Sequence, residues 1–403
     1  MSVKNYFIFI LSIGLIVSLF SCFPARVFRY GVADIKDGEK FDAITINNDS
    51  TQQFHFFETT NTNRFHPPSY LKNNSVEAFD KFTSKGKTVA FLVIKNDTII
   101  YENYSKKYHK NRLIPSFSVS KSFVSALIGI ALEEGYINNI DEPITNYLPE
   151  LKDEQLKEIT IRNVLDMRAD FKFGENYFNP FSEVAKYYYG RDLKKFITKL
   201  KAKGSPGNEF KYQSVNTQVL AFILENATQK AIHQYLEEKL WKPMHMEAAG
   251  SWNVDDKGNI KAFCCVNAIA RDFAKLGKLY NQHGNWEGQQ LIPKNWVDST
   301  LYFNKELNDF VYSNHWWHTV NELPYSDSAL VHIMKNKQPY KFKTNHKGNP
   351  KAIIFPSGDS FARGVLGQHI YINPEKNIII VRMGKGFGFT KWRKMFRTIA
   401  REN

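Results

Sequence analysis

Ile114-Pro115-Ser116-Phe117-Ser118-Val119-Ser120-Lys121-Ser122-Phe123-Val124-Ser125-Ala126-Leu127-Ile128-Gly129-Ile130 is the stretch from which both the fold and the chemistry follow. Pro115 holds the residue before it extended. The apolar periodicity from Val119 to Glu134 then predicts a helix that Gly135 closes. Ser118 opens this helix, and Lys121, three residues on, shares its face. An apolar helix is buried, and burial disfavours an ammonium. Lys121 can therefore take the Ser118 proton or hold the hydroxyl for another base. The helix N-terminus adds N–H groups beside any developing oxyanion. Ser-x-x-Lys is a weak signal by itself, since about two matches are expected by chance. Two occur, the other being Ser84-Lys85-Gly86-Lys87 in a hydrated stretch rich in Gly and Lys. Read in isolation, Ser118 is a helix cap and Lys121 a snorkelling side chain.

Tyr212-Gln213-Ser214-Val215-Asn216 follows the turn Gly207-Asn208-Glu209-Phe210 and opens a second apolar helix. A nearby ammonium favours a phenolate, so the Tyr212 pKa is expected to fall. That suits the phenol to act first as general base and then as general acid. Ser214 and Asn216 are placed to hydrogen-bond the lysine and the substrate.

Thr88 to Tyr104 holds two β-rich runs around Asn96-Asp97, which predicts a hairpin. Near the other end, His369 to Ile372 and Ile378 to Met383 read as strands, followed by an amphipathic helix from Thr390 to about Ala400. Residues 140–300 read as mostly helical with long loops. The expected class is α+β: one antiparallel sheet built from both ends of the chain, flanked by helices, with a large helical insertion. Residues 23–80 form a polar, irregular N-terminal extension whose Phe54, Phe56 and Phe57 pack onto the body, and residues 81–403 form the main domain.

Ser118-x-x-Lys121 at a helix start, followed by Tyr212-x-Ser214-x-Asn216, resembles the serine β-lactamase and penicillin-binding protein superfamily. The likeness is to class C β-lactamases, DD-peptidases, β-lactamase-like esterases and 6-aminohexanoate-dimer hydrolases, and Tyr-x-Ser-x-Asn is most like the last. Ile140-Asp141-Glu142-Pro143-Ile144, Ile159 to Met167, Ala270 to Gly277 and Gly364-Val365-Leu366-Gly367-Gln368 support it in the expected order. The resemblance implies a β-lactamase/transpeptidase-like fold and a serine hydrolase. Ser118 would form the acyl-enzyme, Lys121 and Tyr212 would shuttle protons, and Ser214 and Asn216 would support them. The oxyanion site would combine the Ser118 N–H with a backbone N–H near Ala362, Arg363 and Gly364. Tyr177, in the aromatic-rich stretch from Phe173 to Tyr189, would contact substrate, core packing being its other reading.

The chain departs from the superfamily pattern in three places. Lys-Thr-Gly is absent, with Ser360 to Gln368 in its position, and Leu366 stands where related hydrolases often carry histidine. Met167-Arg168-Ala169-Asp170 replaces Met-x-Ser-Gly. Arg363 is the candidate to hold a substrate carboxylate. The expected activity is hydrolysis of a small-molecule ester or linear amide. A DD-carboxypeptidase or β-lactamase, and a lapsed hydrolase serving as a surface binding protein, are the alternatives.

With 43% hydrophobic and 23% charged residues, the 403-residue chain is globular in composition. Its net charge of +14 comes from scattered lysines without zinc-finger or RNP-type patterns, which argues against a nucleic-acid partner. Residues 1–22 are expected to be a lipoprotein-type signal. Lys4 precedes an apolar run from Tyr6 to Phe20 that is too short to span a bilayer, which needs roughly 20 residues. Leu19-Phe20-Ser21-Cys22 then makes Cys22 the lipidated residue, with the protein exported to the periplasm or cell surface and tethered to the membrane. A plain secretory signal or an uncleaved anchor are the other readings. Cys264 and Cys265 are expected to be two small buried hydrophobes without a bridge. His315-Trp316-Trp317-His318 reads as a core aromatic pair flanked by surface histidines on opposite faces of a strand. No cluster has zinc-site spacing, so neither metal nor other cofactor is expected.

Overall fold

The computed structural model describes residues 23–59, 64–71, 73, 75–301, 311–388 and 391–403. Cys22 and the apolar run before it lie outside the described residues. The extension carries more regular structure than its polar composition suggests, with helix α1 (Phe23–Tyr30) and strands β1 (Ala43–Ile46) and β2 (Phe57–Glu58). Phe56 is buried and the Phe54 ring sits 5.0 Å from Trp286, so these two pack on the body as expected. Phe57 does not: on strand β2 it alternates to the solvent face.

Strands β3 (Thr88–Lys95) and β4 (Thr98–Tyr104) form the expected hairpin. Asn96 and Asp97 both take positive φ, 48° and 57°, as a two-residue turn of this hand requires. Among the described residues nine strands join one sheet. Its order is β10 (Tyr312–Ser313), β11 (Trp316–Pro324), β13 (Pro350–Gly364), β14 (Gln368–Asn373), β15 (Ile378–Gly384), β3, β4 and β2, with β12 (Lys341–Thr344) also on β13. All pairings are antiparallel except β2 with β4.

The central strands carry apolar residues on both faces because both faces are covered. Ala90, Leu92, Ile94, Ile370, Ile379 and Val381 face the helical insertion. Phe91, Val93, Tyr371, Ile378 and Ile380 face the C-terminal helix α6 (Trp392–Glu402). Each such side chain contributes about 1.5–3 kcal/mol on burial. Helix α5 (Ala270–Asn281) lies close against the first face, where a Cβ on Gly277 would come within 2.8 Å of Ile379 and 3.0 Å of Ile370.

Helices α2 (Ser120–Glu133), α3 (Glu183–Tyr189) and α4 (Ser214–Thr228) belong to the insertion. A second sheet has the order β1, β6 (Gly250–Asn253), β7 (Val266–Ala268) and β5 (Ile114–Pro115). It stitches the extension to the insertion and delivers the chain to Ser118. A hairpin of β8 (Asn285–Trp286) and β9 (Gln289–Gln290) follows α5.

Two expectations fail here. Cys264 and Cys265 are joined by a disulfide. Cys265 adopts a φ of 81°, a backbone that extended-chain reasoning does not anticipate. His315 and His318 are both buried, not on the surface. Asn314 and His315 take positive φ in the turn between β10 and β11, so the alternation of a strand does not apply across them. His315 Nε2 meets Thr217 Oγ1 at 3.0 Å, and His318 is bonded to Ser313 and Ser360.

Candidate active site

Ser118 sits in a single 3₁₀ turn, Phe117–Val119, that runs straight into α2. The turn enters through Phe117 at a φ of 47°, an unusual backbone for an aromatic residue. The elbow leaves Ser118 half-buried while its neighbours Phe117 and Val119 are buried. The cap position of α2 is Val119, not Ser118, so the Ser118 hydroxyl is not placed as a helix cap.

Lys121 is 1% exposed. Its Nζ lies 3.2 Å from Ser118 Oγ and 3.4 Å from Ser214 Oγ, and it donates to the Phe263 carbonyl. Burial pulls its pKa down to about 7 against a weaker upward pull from Glu175. His315, buried nearby with its pKa held to about 3 by burial and by Lys121, adds no charge.

The hydrogen-bond directions follow from donor counts. Ser214 gives its hydroxyl proton to Glu175 Oε1, 2.5 Å away, and its backbone N–H to Oε2, 2.8 Å away. Ser214 Oγ can then only accept from Lys121, as the Phe263 carbonyl must. A neutral amine has two protons, both now committed. Its lone pair is left for the Ser118 hydroxyl.

The Tyr212 phenol lies near enough to Ser118 for the serine to favour its ionised form, and its ring is stacked 5.6 Å from Trp317 and lies 5.4 Å from Lys121 Nζ. Its pKa does not fall as expected. Burial raises it well above the ordinary phenol range, Glu175 adds to the rise, and Ser118 and Arg363 offset only part of it. Because burial also holds the Lys121 pKa to about 7, the cationic partner that the expectation relied on is weakened. Tyr212 is therefore a neutral donor.

Ser214 is brought to Lys121, but Asn216 is not. Its Nδ2 turns back to the Gln213 carbonyl at 3.0 Å and closes the start of α4. Tyr177, half exposed, donates to the Glu175 carboxylate over the cleft. Glu175 was not anticipated. Its one sequence signal is a carboxylate among aromatics two residues before Tyr177, and the Phe263 carbonyl, a backbone group, gives none.

Ala362, Arg363 and Gly364 end β13 beside the elbow. A Cβ on Gly364 would lie 2.4 Å from the Ser116 carbonyl and 3.1 Å from Phe117 Cβ, so the strand presses on the backbone that presents Ser118. Ala362 is buried, while Arg363 is exposed with its guanidinium 5.7 Å from the Phe387 ring. The turn after β13 is held from behind by the buried Arg382, which donates to the carbonyls of Leu366 (3.0 Å), Gly367 (2.6 Å), Gly86 (2.8 Å) and Gly386 (3.0 Å). Leu366 takes a φ of 62° within that turn.

A family model described as Beta-lactamase matches residues 77–402. A 6-aminohexanoate-dimer hydrolase of Paenarthrobacter ureafaciens is 27% identical over 318 residues, covering 73% of this chain and 72% of that protein. A solved structure from Bacillus anthracis, provisionally assigned as a 6-aminohexanoate-dimer hydrolase, superposes with a TM-score of 0.70 at 21% identity over 90% of this chain and 91% of that one. A class C beta-lactamase variant superposes with a TM-score of 0.55 at 15% identity, covering 84% of this chain and all of its own. The fold is thus of the β-lactamase/transpeptidase type.

Proposed function

Because the chain belongs to the beta-lactamase family, a hydrolase family, we propose that it is a serine hydrolase opening an ester or linear amide through an acyl-enzyme on Ser118. The observation that carries the reading is Lys121 Nζ at 3.2 Å from Ser118 Oγ, since the neutral amine keeps its lone pair for that hydroxyl when Ser214 and the Phe263 carbonyl take its two protons. As Ser118 Oγ bonds to the substrate carbonyl carbon, Lys121 takes its proton. The Ser118 N–H and a backbone N–H near Gly364 receive the oxyanion. Tyr212 passes its proton to the leaving oxygen or nitrogen as that bond breaks, and the Lys121 ammonium returns a proton to Tyr212. Water then repeats the attack on the acyl-enzyme and frees Ser118.

A fluorophosphonate probe tests this, since Ser118 displaces fluoride to form a stable adduct. The expected result is a single adduct on the Ser118 peptide by mass spectrometry, lost in Ser118→Ala. Labelling that persists in that variant overturns the assignment. Export and a lipid tether on Cys22 are part of the proposal, checked by incorporation of labelled palmitate that Cys22→Ala abolishes.

One observation favours a second reading, a DD-carboxypeptidase or β-lactamase. Arg363, at the end of β13 beside the Ser118 elbow, pairs with no carboxylate among the described residues. A guanidinium so placed suits a substrate carboxylate. Stable acylation of Ser118 by penicillin, or nitrocefin turnover, would establish that reading over the first.

A further inference from the structure

The cleft above Ser118 opens on its other side into a cavity of about 410 Å³, within the range of small-molecule sites. Val27 and Phe28 of α1, Val184 and Ala185 of α3, and Phe263 wall it, with Ser118 also on its lining. Among the described residues no acidic, basic or histidine side chain lines it, and the hydroxyls of Tyr177, Tyr188, Tyr189 and Ser214 on its lining all donate elsewhere. A charged substrate arm entering here would lose water without gaining an ionic partner.

The wall from the N-terminal extension is fixed in place. Arg26 Nε donates to the Tyr189 carbonyl at 2.7 Å, and its guanidinium pairs with both oxygens of Asp256 at 3.0 and 2.9 Å. The Tyr30 ring lies 4.6 Å from Phe41, and Tyr189 donates to the Gly31 carbonyl. The mouth keeps large apolar groups in water: Phe28 is 92% exposed, Val32 83% and Phe178 99%. An apolar rim around an apolar cavity marks a place where apolar matter binds.

We propose that this cavity receives an alkyl arm of the substrate, so that the esters or amides cleaved at Ser118 carry a medium-length or longer hydrocarbon chain. The inference rests on the hydrolase reading and narrows its substrate class. The arm belongs either to the acyl group or to the alcohol or amine, and two substrate series separate these.

In p-nitrophenyl esters from acetate to decanoate, and in acetates of increasingly long alcohols, kcat/KM is expected to rise about three- to fourfold per methylene in one series until the cavity is full. Ala33→Trp, at the cavity wall, and Val27→Asp, on α1, are each expected to lower the decanoate-to-acetate ratio of kcat/KM, or its alcohol-side equivalent, at least tenfold. That ratio does not depend on how much of a variant is folded. Flat or falling series, or unmoved ratios, overturn the alkyl-arm assignment while leaving Ser118-dependent hydrolysis intact. Equal hydrolysis by the Ser118→Ala protein instead overturns the hydrolase reading. Calorimetric titration of Ser118→Ala with decanamide tests the cavity without turnover. Saturable binding absent with acetamide supports the proposal, and no binding of decanamide overturns it.

Discussion

Glu175 takes both hydrogen-bonding protons of Ser214, the hydroxyl at 2.5 Å and the backbone N–H at 2.8 Å, and so fixes which way Ser214 faces Lys121. Its negative charge also pulls the Lys121 pKa upward against burial. Glu175→Gln removes that pull, so the acidic limb of the pH–rate profile should move to lower pH. kcat should fall as well, because an amide can donate to Ser214 and reverse the network. A limb that stays put or moves up would contradict the arrangement.

Lys121 must be neutral to accept the Ser118 proton. With its pKa near about 7, the rate should climb as pH rises through that value. Lys121→Met should cost about 10³-fold in kcat. The same residue burdens the fold: in the unfolded chain it holds its proton up to about pH 10.4. Between the two values the unfolded state binds the extra proton, so this group makes stability rise with pH across that window and sets its largest penalty below it. Melting temperatures should therefore favour Lys121→Met most below pH 7, with the advantage shrinking as pH rises.

Gly364→Ala should force β13 away from the elbow, since the new Cβ would meet the Ser116 carbonyl at 2.4 Å. A displaced strand takes its N–H from the oxyanion, a loss of about 10²-fold in kcat. Kinetics beside circular dichroism should show the rate falling while secondary structure persists.

Arg382→Leu should unfold more easily by about 3 kcal/mol or more, because four buried carbonyls lose their donors at once. Urea denaturation measures it.

What was legible in the sequence was local. Ser118, Lys121 and Tyr212 stand at helix starts whose apolar periodicity places them, and the Asn96-Asp97 hairpin declares itself by its turn residues. What was hidden depends on burial and backbone. The direction of the Tyr212 shift requires knowing how deeply its phenol is enclosed. The Cys264–Cys265 bridge and the inward histidines go with positive φ at Cys265, Asn314 and His315, which residue periodicity does not announce. Helix α1 has only eight residues, too few for a periodic signature, yet it walls the cavity beside Ser118.

Val93 and Ile380 are register partners at the middle of the main sheet, though most of the chain separates them in sequence. While the protein is being synthesised, β3 therefore emerges from the ribosome with one backbone edge, and much of the apolar face that α6 covers, unmet until the final tenth of the chain arrives. Loop closure over such a span is slow, and an open edge invites pairing with other chains. Nascent and prematurely terminated chains are thus the aggregation-prone species, and yield should respond to holding chaperones and slower translation more than to changes on the finished surface.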